Sequence, residues 1–453
     1  MPEAIKIANC SGFYGDRLSA ALDMVEGGPI DVLTGDYLAE LTMTILYDQK
    51  QKRATGGYVG TFMKQLKDVL GICMEKNIKI VTNAGGLNPK GMALAVEALA
   101  LEMGVKTKVA YIDGDDLVPR IQELQAQGET FTNMDRDIPL ASTDNETVTA
   151  NAYLGAWGIK EALDQGADVV ICPRVTDAAV VIGPAAWKFN WQRADYDALA
   201  GALAAGHIIE CGAQCTGGNF TDWELVNNFE NMGFPIVEVS SNGDFIVTKP
   251  EGTGGLINRG TVSEQFLYEI GDPGAYLLPD VVCDFTKVTI EEKGSDCVFV
   301  SGAKGLPPTN TYKVLATYID GYKIAATIVI GGPKAVKKAH IIGDAILKKT
   351  RLILAGKSIE DYTRTKIEVL GSEAIYGSDD KNYVDTKEVV LRLMATHKDK
   401  SALVIMSREI AQSATGMAPG VMNYLGGRPA IASSIKLFSF LLSKTHIDVS
   451  VNL

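Results

Sequence analysis

Residues 78–91 read IKIVTNAGGLNPKG, and the order of parts in that stretch decides the fold. Ile78 to Thr82 is a short apolar run of strand length. It stops at Asn83-Ala84-Gly85-Gly86. Pro89 stands where a helix begins, because its missing N–H and fixed φ suit the first helical position. Ala93 to Met103 then supplies helix formers. Strand, glycine turn and helix in this order are the repeating piece of an α/β protein.

The same succession recurs on both sides of it. Upstream, Ile5–Ala8 runs into Asn9-Cys10-Ser11-Gly12-Phe13-Tyr14-Gly15-Asp16-Arg17 and a helix from about Leu18 to Val25. Ile30–Leu33 runs into Gly35-Asp36 and a helix from about Tyr37. Downstream, Lys106–Ile112 closes on Asp113-Gly114-Asp115-Asp116, and residues 144–164 read as a long helix. Ala167–Cys172 then ends at Pro173-Arg174-Val175-Thr176-Asp177. Strands buried on both faces are continuous apolar runs, and Val169-Val170-Ile171 and Ile80-Val81 fit that. The expectation is a mostly parallel, doubly wound sheet over residues 1–283, with its ligand beyond the carboxyl ends of the strands. From residue 284 the pattern changes to an α+β domain, 284–453, with split βαβ character. It reads as strands at Val288–Ile290 and Cys297–Val300, a hairpin across Asp320-Gly321, a helix at Ala335–Leu354 and a strand at Thr365–Leu370. A helix at Thr386–Thr396 and a strand at Leu403–Ser407 complete it. No internal repeat is visible.

Composition sets the outer bounds. The chain has 453 residues, 46% of them apolar, and carries 43 basic against 55 acidic side chains for a net charge of −12. Such a surplus disfavours general binding to nucleic acid or an anionic membrane. No apolar stretch is long enough to span a bilayer, and no basic and apolar leader opens the chain. Seven scattered cysteines, an odd number without regular spacing, argue against a disulfide framework and for a reducing cytoplasm. The Gly-x-Ser-x-Gly elbow, the His-Glu-x-x-His helix and the Cys-x-x-Cys pair are all missing.

The chemistry-bearing residues cluster at the ends of the expected strands. Gly12 and Arg17 suit an anion, with Asp16 as acid, base or metal ligand. Asp36 and Glu40, four apart, would share a helix face and form a metal or acid/base pair. Asn83 suits an oxyanion, and the N–H groups of Gly85 and Gly86 an anion nest. Arg174 suits a carboxylate, oriented by Asp177. His207, Glu210 and Cys211 fall at i, i+3 and i+4, followed by the glycine loop with Gly217 and Gly218. Three uses compete there: a transition-metal site, a Cys211 nucleophile beside a base, and His207 as general base. A divalent cation on Asp16, Asp36 or Glu40 is a further variation.

Taken together, these segments resemble the acyclic terpene utilisation family, AtuA. The resemblance is carried by Gly12 to Arg17, Gly35 to Glu40, Asn83 to Gly86, Thr149 to Tyr153, Arg174 to Ala178 and His207 to Gly212. Tyr268 to Pro273, Pro279 to Val281 and Gly426 to Pro429 extend it. It covers nearly the whole chain in order, in the form without an extra C-terminal ferredoxin-like domain. The resemblance implies a setting of citronellol and geraniol breakdown, alongside acyl-CoA steps, and carries no catalytic roles to particular residues. The residues themselves suggest an enzyme of carboxylate or acyl-CoA catabolism. It would be a lyase or hydratase that removes a proton next to a carbonyl, with His207 or Asp16 as base and Arg17 and Arg174 as anchors. The alternatives are a hydrolase using Cys211 or a metal-bound water, and a non-catalytic acyl-CoA-binding partner of another enzyme. A homo-oligomer is expected for an enzyme of this size.

Overall fold

The computed structural model describes residues 3–143, 145–377, 386–424 and 426–453. The chain separates into two compact units, Met1–Thr317 with Leu437–Leu453, and Tyr318–Lys436. The first unit is built on a ten-stranded sheet. Its strands include β1 (Ala4–Asn9), β2 (Val32–Gly35), β3 (Lys79–Thr82) and β4 (Val109–Asp113). β5 (Thr147–Ala152) pairs elsewhere, and β6 (Val169–Ile171), β7 (Ile236–Ser240) and β8 (Phe245–Thr248) return to the sheet. Across the sheet the order is Thr289–Gly294, Cys297–Ser301, β8, β7, β1, β2, β3, β6, β4, Ser450–Asn452.

The centre is parallel. β1 pairs β2, β2 pairs β3, β3 pairs β6 and β6 pairs β4 in that sense, with Ile7 opposite Val32 and Ile80 opposite Val169. Ile5, Ile7, Val81, Val169, Val170 and Ile171 are wholly buried, which explains the apolar runs Val169-Val170-Ile171 and Ile80-Val81. The five central strands point the same way, so their following loops leave from one rim.

The expectation of a mostly parallel sheet holds for this centre alone. β7, β8, Cys297–Ser301 and Thr289–Gly294 add an antiparallel wing on one side, and Ser450–Asn452 pairs antiparallel to β4 on the other. The sheet is therefore mixed. Residues 284–317, placed by sequence with the second domain, lie in the first unit. The reason is pairing: Val298, Phe299 and Val300 face Val247, Ile246 and Phe245 of β8.

Four further expectations are corrected. Residues 145–164 are not one helix but β5 followed by a helix at Trp157–Asp164; Thr147, Val148 and Thr149 are β-branched and favour the strand. Asp144, its expected first residue, lies outside the described residues. The hairpin at Asp320-Gly321 is a single strand, Thr311–Gly331. Gly321 has φ +70°, and a Cβ there would stand 2.6 Å from the His397 carbonyl oxygen, so the glycine serves close backbone approach and not a turn. Thr386–Thr396 is a strand, Glu388–His397, in which Val389, Leu391, Leu393 and Ala395 are buried at a spacing of two. Leu403–Ser407 lies in a helix, Lys400–Glu409, capped by Asp399, which accepts from the Ser401 N–H at 2.8 Å.

In the second unit, Arg364–Leu370, Glu388–His397 and the part of Thr311–Gly331 from Tyr322 onward pair antiparallel. Helices Ala335–Gly356 and Lys400–Glu409 cover one face, burying Ile342, Ile346, Leu403 and Met406 with Ile328 and Leu391. The succession strand, helix, strand, strand, helix, strand is that of the split βαβ motif. Among the described residues, no helix is long and apolar enough to cross a membrane.

Candidate active site

Within the first unit a cleft of about 530 Å³ opens where the loops after β1, β2 and β6 meet the end of the helix Tyr196–Ile209. That volume falls in the range of small-molecule sites. Its walls include Gly12, Asp36, Glu40, Tyr153, Arg174, Asp177, Glu210, Cys211 and Lys313.

Local sequence explains the convergence. Gly12 lets the first loop lie against the end of the helix, since a Cβ there would stand 2.5 Å from the Cys211 carbonyl carbon. Asn9 reaches across from β1, and its side-chain amide donates to the carbonyls of Ile209 and Glu210. This fastens the helix end that carries Glu210 to the sheet and satisfies carbonyls left open there. Gly85 performs a similar service between β3 and β6, as a Cβ would sit 2.5 Å from the Cys172 oxygen.

Three carboxylates form the polar heart of the cleft. One oxygen each of Asp36, Asp177 and Glu210 lies within 4.8 Å of the others. Each acid has a donor behind it. Asn83 Nδ2 donates to Asp36 Oδ1 at 2.6 Å, and Arg174 Nη1 donates to Asp177 Oδ1 at 2.7 Å. His207 Nδ1 stands 3.2 Å from Glu210 Oε1. Burial, then the charge of Asp177, push the Asp36 carboxyl well above the usual carboxylate range. Burial likewise raises Glu210 to about 6, against the opposing pull of His207. Burial alone would lower His207, but the bond to Glu210 and its charge outweigh it, so the imidazole is raised.

A second group lines the neighbouring wall. The Tyr153 hydroxyl donates to Glu40 Oε1 at 3.0 Å. Its ring carries the Arg174 guanidinium 4.0 Å from the centroid and the Lys313 ammonium at 4.9 Å. Burial works to raise Glu40, but a bond from its own backbone N–H and the charge of Arg174 hold it below the ordinary value, helped by Tyr153 and Lys313. Arg174 itself is 3% exposed, and its recorded bonds go to Val175 O and Asp177. Further back, buried Asp115 accepts from Asn151 Nδ2 at 2.7 Å and from the Arg174 N–H at 3.3 Å. Burial lifts Asp115 to about 7.

The sequence-selected residues divide into three groups. Gly12, Asp36, Glu40, Arg174, Asp177, Glu210 and Cys211 line the cleft. Asn83 and His207 stand behind it, wholly buried; the His207 ring is packed among Phe266, Tyr276 and Phe285. Asp16, Arg17, Gly85, Gly86, Gly217 and Gly218 do not line it. Asp16 accepts from the N–H groups of Gly12 and Arg17 and so braces its own loop. Arg17 pairs with Asp23 at 2.8 Å and donates to Met232 O. Gly86 packs on Leu46, Gly217 on Val226, and Gly218 on the Ala213 backbone. Lys313, Tyr268, Glu269 and Tyr276 line the cleft without having been singled out as site residues. The cations of the expected second domain were the available signal for Lys313, and the motif at Tyr268-Glu269 for the next two.

Fold and cleft define a mixed α/β protein with an acidic cleft at the strand ends. The chain matches the model of the acyclic terpene utilisation family protein AtuA over residues 5–453, and it belongs to that family, which is named for acyclic terpene utilisation. No curated protein and no solved structure matches it.

Proposed function

We propose that the protein is an enzyme of carboxylate or acyl-thioester catabolism that removes a proton next to a carbonyl, with a lyase or hydratase outcome. The observation that carries this is the pairing of Glu40 and Tyr153 beside two cations in one cleft. Glu40 stands apart from the acidic trio, and its lowered pKa leaves it ionised at neutral pH. It is the group placed to take the proton, with the Tyr153 hydroxyl orienting it. The electron pair left on carbon passes to the carbonyl oxygen, and positive charge from Lys313 and Arg174 favours that developing anion. His207 and Asp16 were the expected bases. His207 has no face on the cleft, and both oxygens of Asp16 hold backbone N–H groups. They act on shape, and Glu40 takes the role of base. The volume suits a small acid or the acyl end of a thioester, whose nucleotide would remain outside.

Cys211 lines the same cleft, but burial and the charge of Glu210 push its thiol up. That works against a thiolate nucleophile, so the hydrolase alternative is the weaker one. The test is exchange of the carbon-bound proton in heavy water, followed by mass spectrometry over a panel of branched carboxylic acids and their CoA esters. Wild type is expected to exchange at least one of them, and Glu40→Gln to lower the rate by about 10²- to 10⁴-fold. Binding without exchange or product would favour the non-catalytic partner.

A further inference from the structure

In the second unit, Ile324, Ala326, Leu391, Leu393 and Ala395 are buried with the two helices on one face of the sheet. Alternation at period two sends their neighbours to the other face. There Lys323 and Arg364 flank Thr396, Ala325 and Lys366 flank Met394, and Thr327 and Glu368 flank Arg392. A groove of about 630 Å³ lies on this face, lined by four cations, Lys323, Arg364, Lys366 and Arg392, and, among the described residues, by no acid. All four cations are exposed. Glu368 at its edge pairs with Lys366 and stands 3.5 Å from Arg392, while Lys323 and Arg364 have no ion pair among the described residues.

Charge is unevenly divided along the chain. Tyr318–Lys436 carries 18 basic against 12 acidic side chains, whereas the rest of the chain carries 25 against 43. The acidic unit presents an uncovered apolar loop at residues 221–231, TDWELVNNFEN. Trp223, Leu225 and Phe229 are 59%, 58% and 53% exposed. Asp222, Glu224 and Glu230 stand beside them in the chain and are exposed as well. The backbone of this loop is held in place: Phe220, Val226 and Met232 pack together within it and at its ends, and the N–H groups of Gly255 and Gly254 donate to the carbonyls of Asn227 and Asn231 at 2.8 and 2.7 Å. Keeping three large apolar side chains in water on a fixed backbone is a cost that burial against a partner removes.

We propose that residues 221–231 of one copy of this chain dock in the basic groove of a second copy. Both surfaces are exposed in the single chain, and they are complementary in kind. The apolar side chains of the loop meet Ala325, Met394 and Ala432 of the groove, and its acids meet the unpaired cations Lys323 and Arg364. Pairing of the loop with its own copy across a two-fold axis is disfavoured, because it sets Asp222, Glu224 and Glu230 against themselves. Pairing of groove with groove fails in the same way with the cations. Loop and groove are different surfaces, so the contact is heterologous. Each chain carries one of each, and the assembly is a reciprocal dimer or a closed ring. One loop makes a small interface, so association in the micromolar range is expected.

The contact is a claim about assembly and is independent of the reaction proposed above. The test is the molar mass of the full chain, read by sedimentation velocity over a concentration series at low and at high NaCl. A reversible dimer or ring is expected, with a dissociation constant at least about tenfold higher at high salt. Trp223→Ser should weaken association at least about tenfold, as the loss of a buried aromatic anchor. Arg364→Glu should weaken it as much by facing the acids of the loop with another acid, and Lys323→Glu serves in its place should that chain not fold. Glu224→Lys combined with Arg364→Glu should recover part of the loss. Leu101→Ser, at a side chain 84% exposed on the helix Pro89–Met103, leaves association unaltered. A chain that is monomeric at every concentration overturns the proposal. So does an assembly unmoved by salt, or one lost with Trp223→Ser and kept with Arg364→Glu, which would seat the loop on another surface.

Discussion

Two loops in this protein pair an aspartate with an arginine at the carboxyl end of a parallel strand: Asp16-Arg17 after β1 and Arg174-Val175-Thr176-Asp177 after β6. In the second, Arg174 is buried over Tyr153, and its guanidinium bonds Asp177 inside the cleft. In the first, Arg17 turns away to Asp23 and the Met232 carbonyl, and Asp16 spends both oxygens on its own loop. The residue types and the strand-end position are the same; what differs is which way the loop can point. Gly12 is pressed against the Cys211 backbone, so the first loop offers its glycine to the cleft and sends its charges outward. Equivalent motifs therefore divide into a cleft edge and a brace.

The largest effect should come from Arg174→Met. It leaves Asp36, Asp177 and Glu210 without their buried counter-charge, which typically costs about 3–5 kcal/mol. Urea unfolding should show that loss, and proton exchange should disappear with it. If stability is untouched, the contrast between the two loops is wrong.

The pH response of the same loop comes next. Asp115, which holds the Arg174 N–H, is raised to about 7 by burial, from an ordinary value of 3.8. Between about pH 4 and pH 7 the folded state keeps a proton that the unfolded state has lost. Stability should fall as pH rises through that window, by up to about 1.4 kcal/mol per pH unit, and be level above it. Asp115→Asn should flatten the slope in a series of urea melts. A slope that survives in the variant would assign it to another group.

Gly12→Ala is intermediate. Its Cβ must displace the Cys211 backbone, at about 1–3 kcal/mol for overpacking, and exchange should fall because the cleft wall shifts. Arg17→Met should do least. Its pair with Asp23 is partly exposed, and such pairs contribute about 0–1 kcal/mol. A large loss of exchange in Arg17→Met would restore Arg17 as an anchor.

Much of this division is legible in the sequence, and the missing part has physical causes. The heart of the parallel sheet is legible because burial on both faces leaves short continuous apolar runs, as in Val169-Val170-Ile171 and Ile80-Val81. The antiparallel wing is not, since alternation in Ile236–Ser240 carries no direction or partner. Val389 to Ala395 alternates at period two, yet a short amphipathic window also satisfies a helix, and the partner strand decides. Asp36, Asp177 and Glu210 were visible as acids at element ends. Their meeting was not, because it depends on Asn9 and Gly12 fixing one segment against another. His207 misled as a rare histidine. The clue was its setting, since every residue from Leu199 to Ile209 is buried, and a lone polar group on such a helix faces the interior.

The most direct test sets the two aspartates against each other in one assay. Proton exchange on the best substrate is measured for Asp177→Asn and Asp16→Asn, each confirmed folded by circular dichroism. The account predicts a loss of about 100-fold for Asp177→Asn, because Asp177 holds the Arg174 guanidinium in position beside the developing anion, and activity within a few-fold of wild type for Asp16→Asn. Equal losses, or a loss confined to Asp16→Asn, would contradict the placement of the working cleft at the β6 edge.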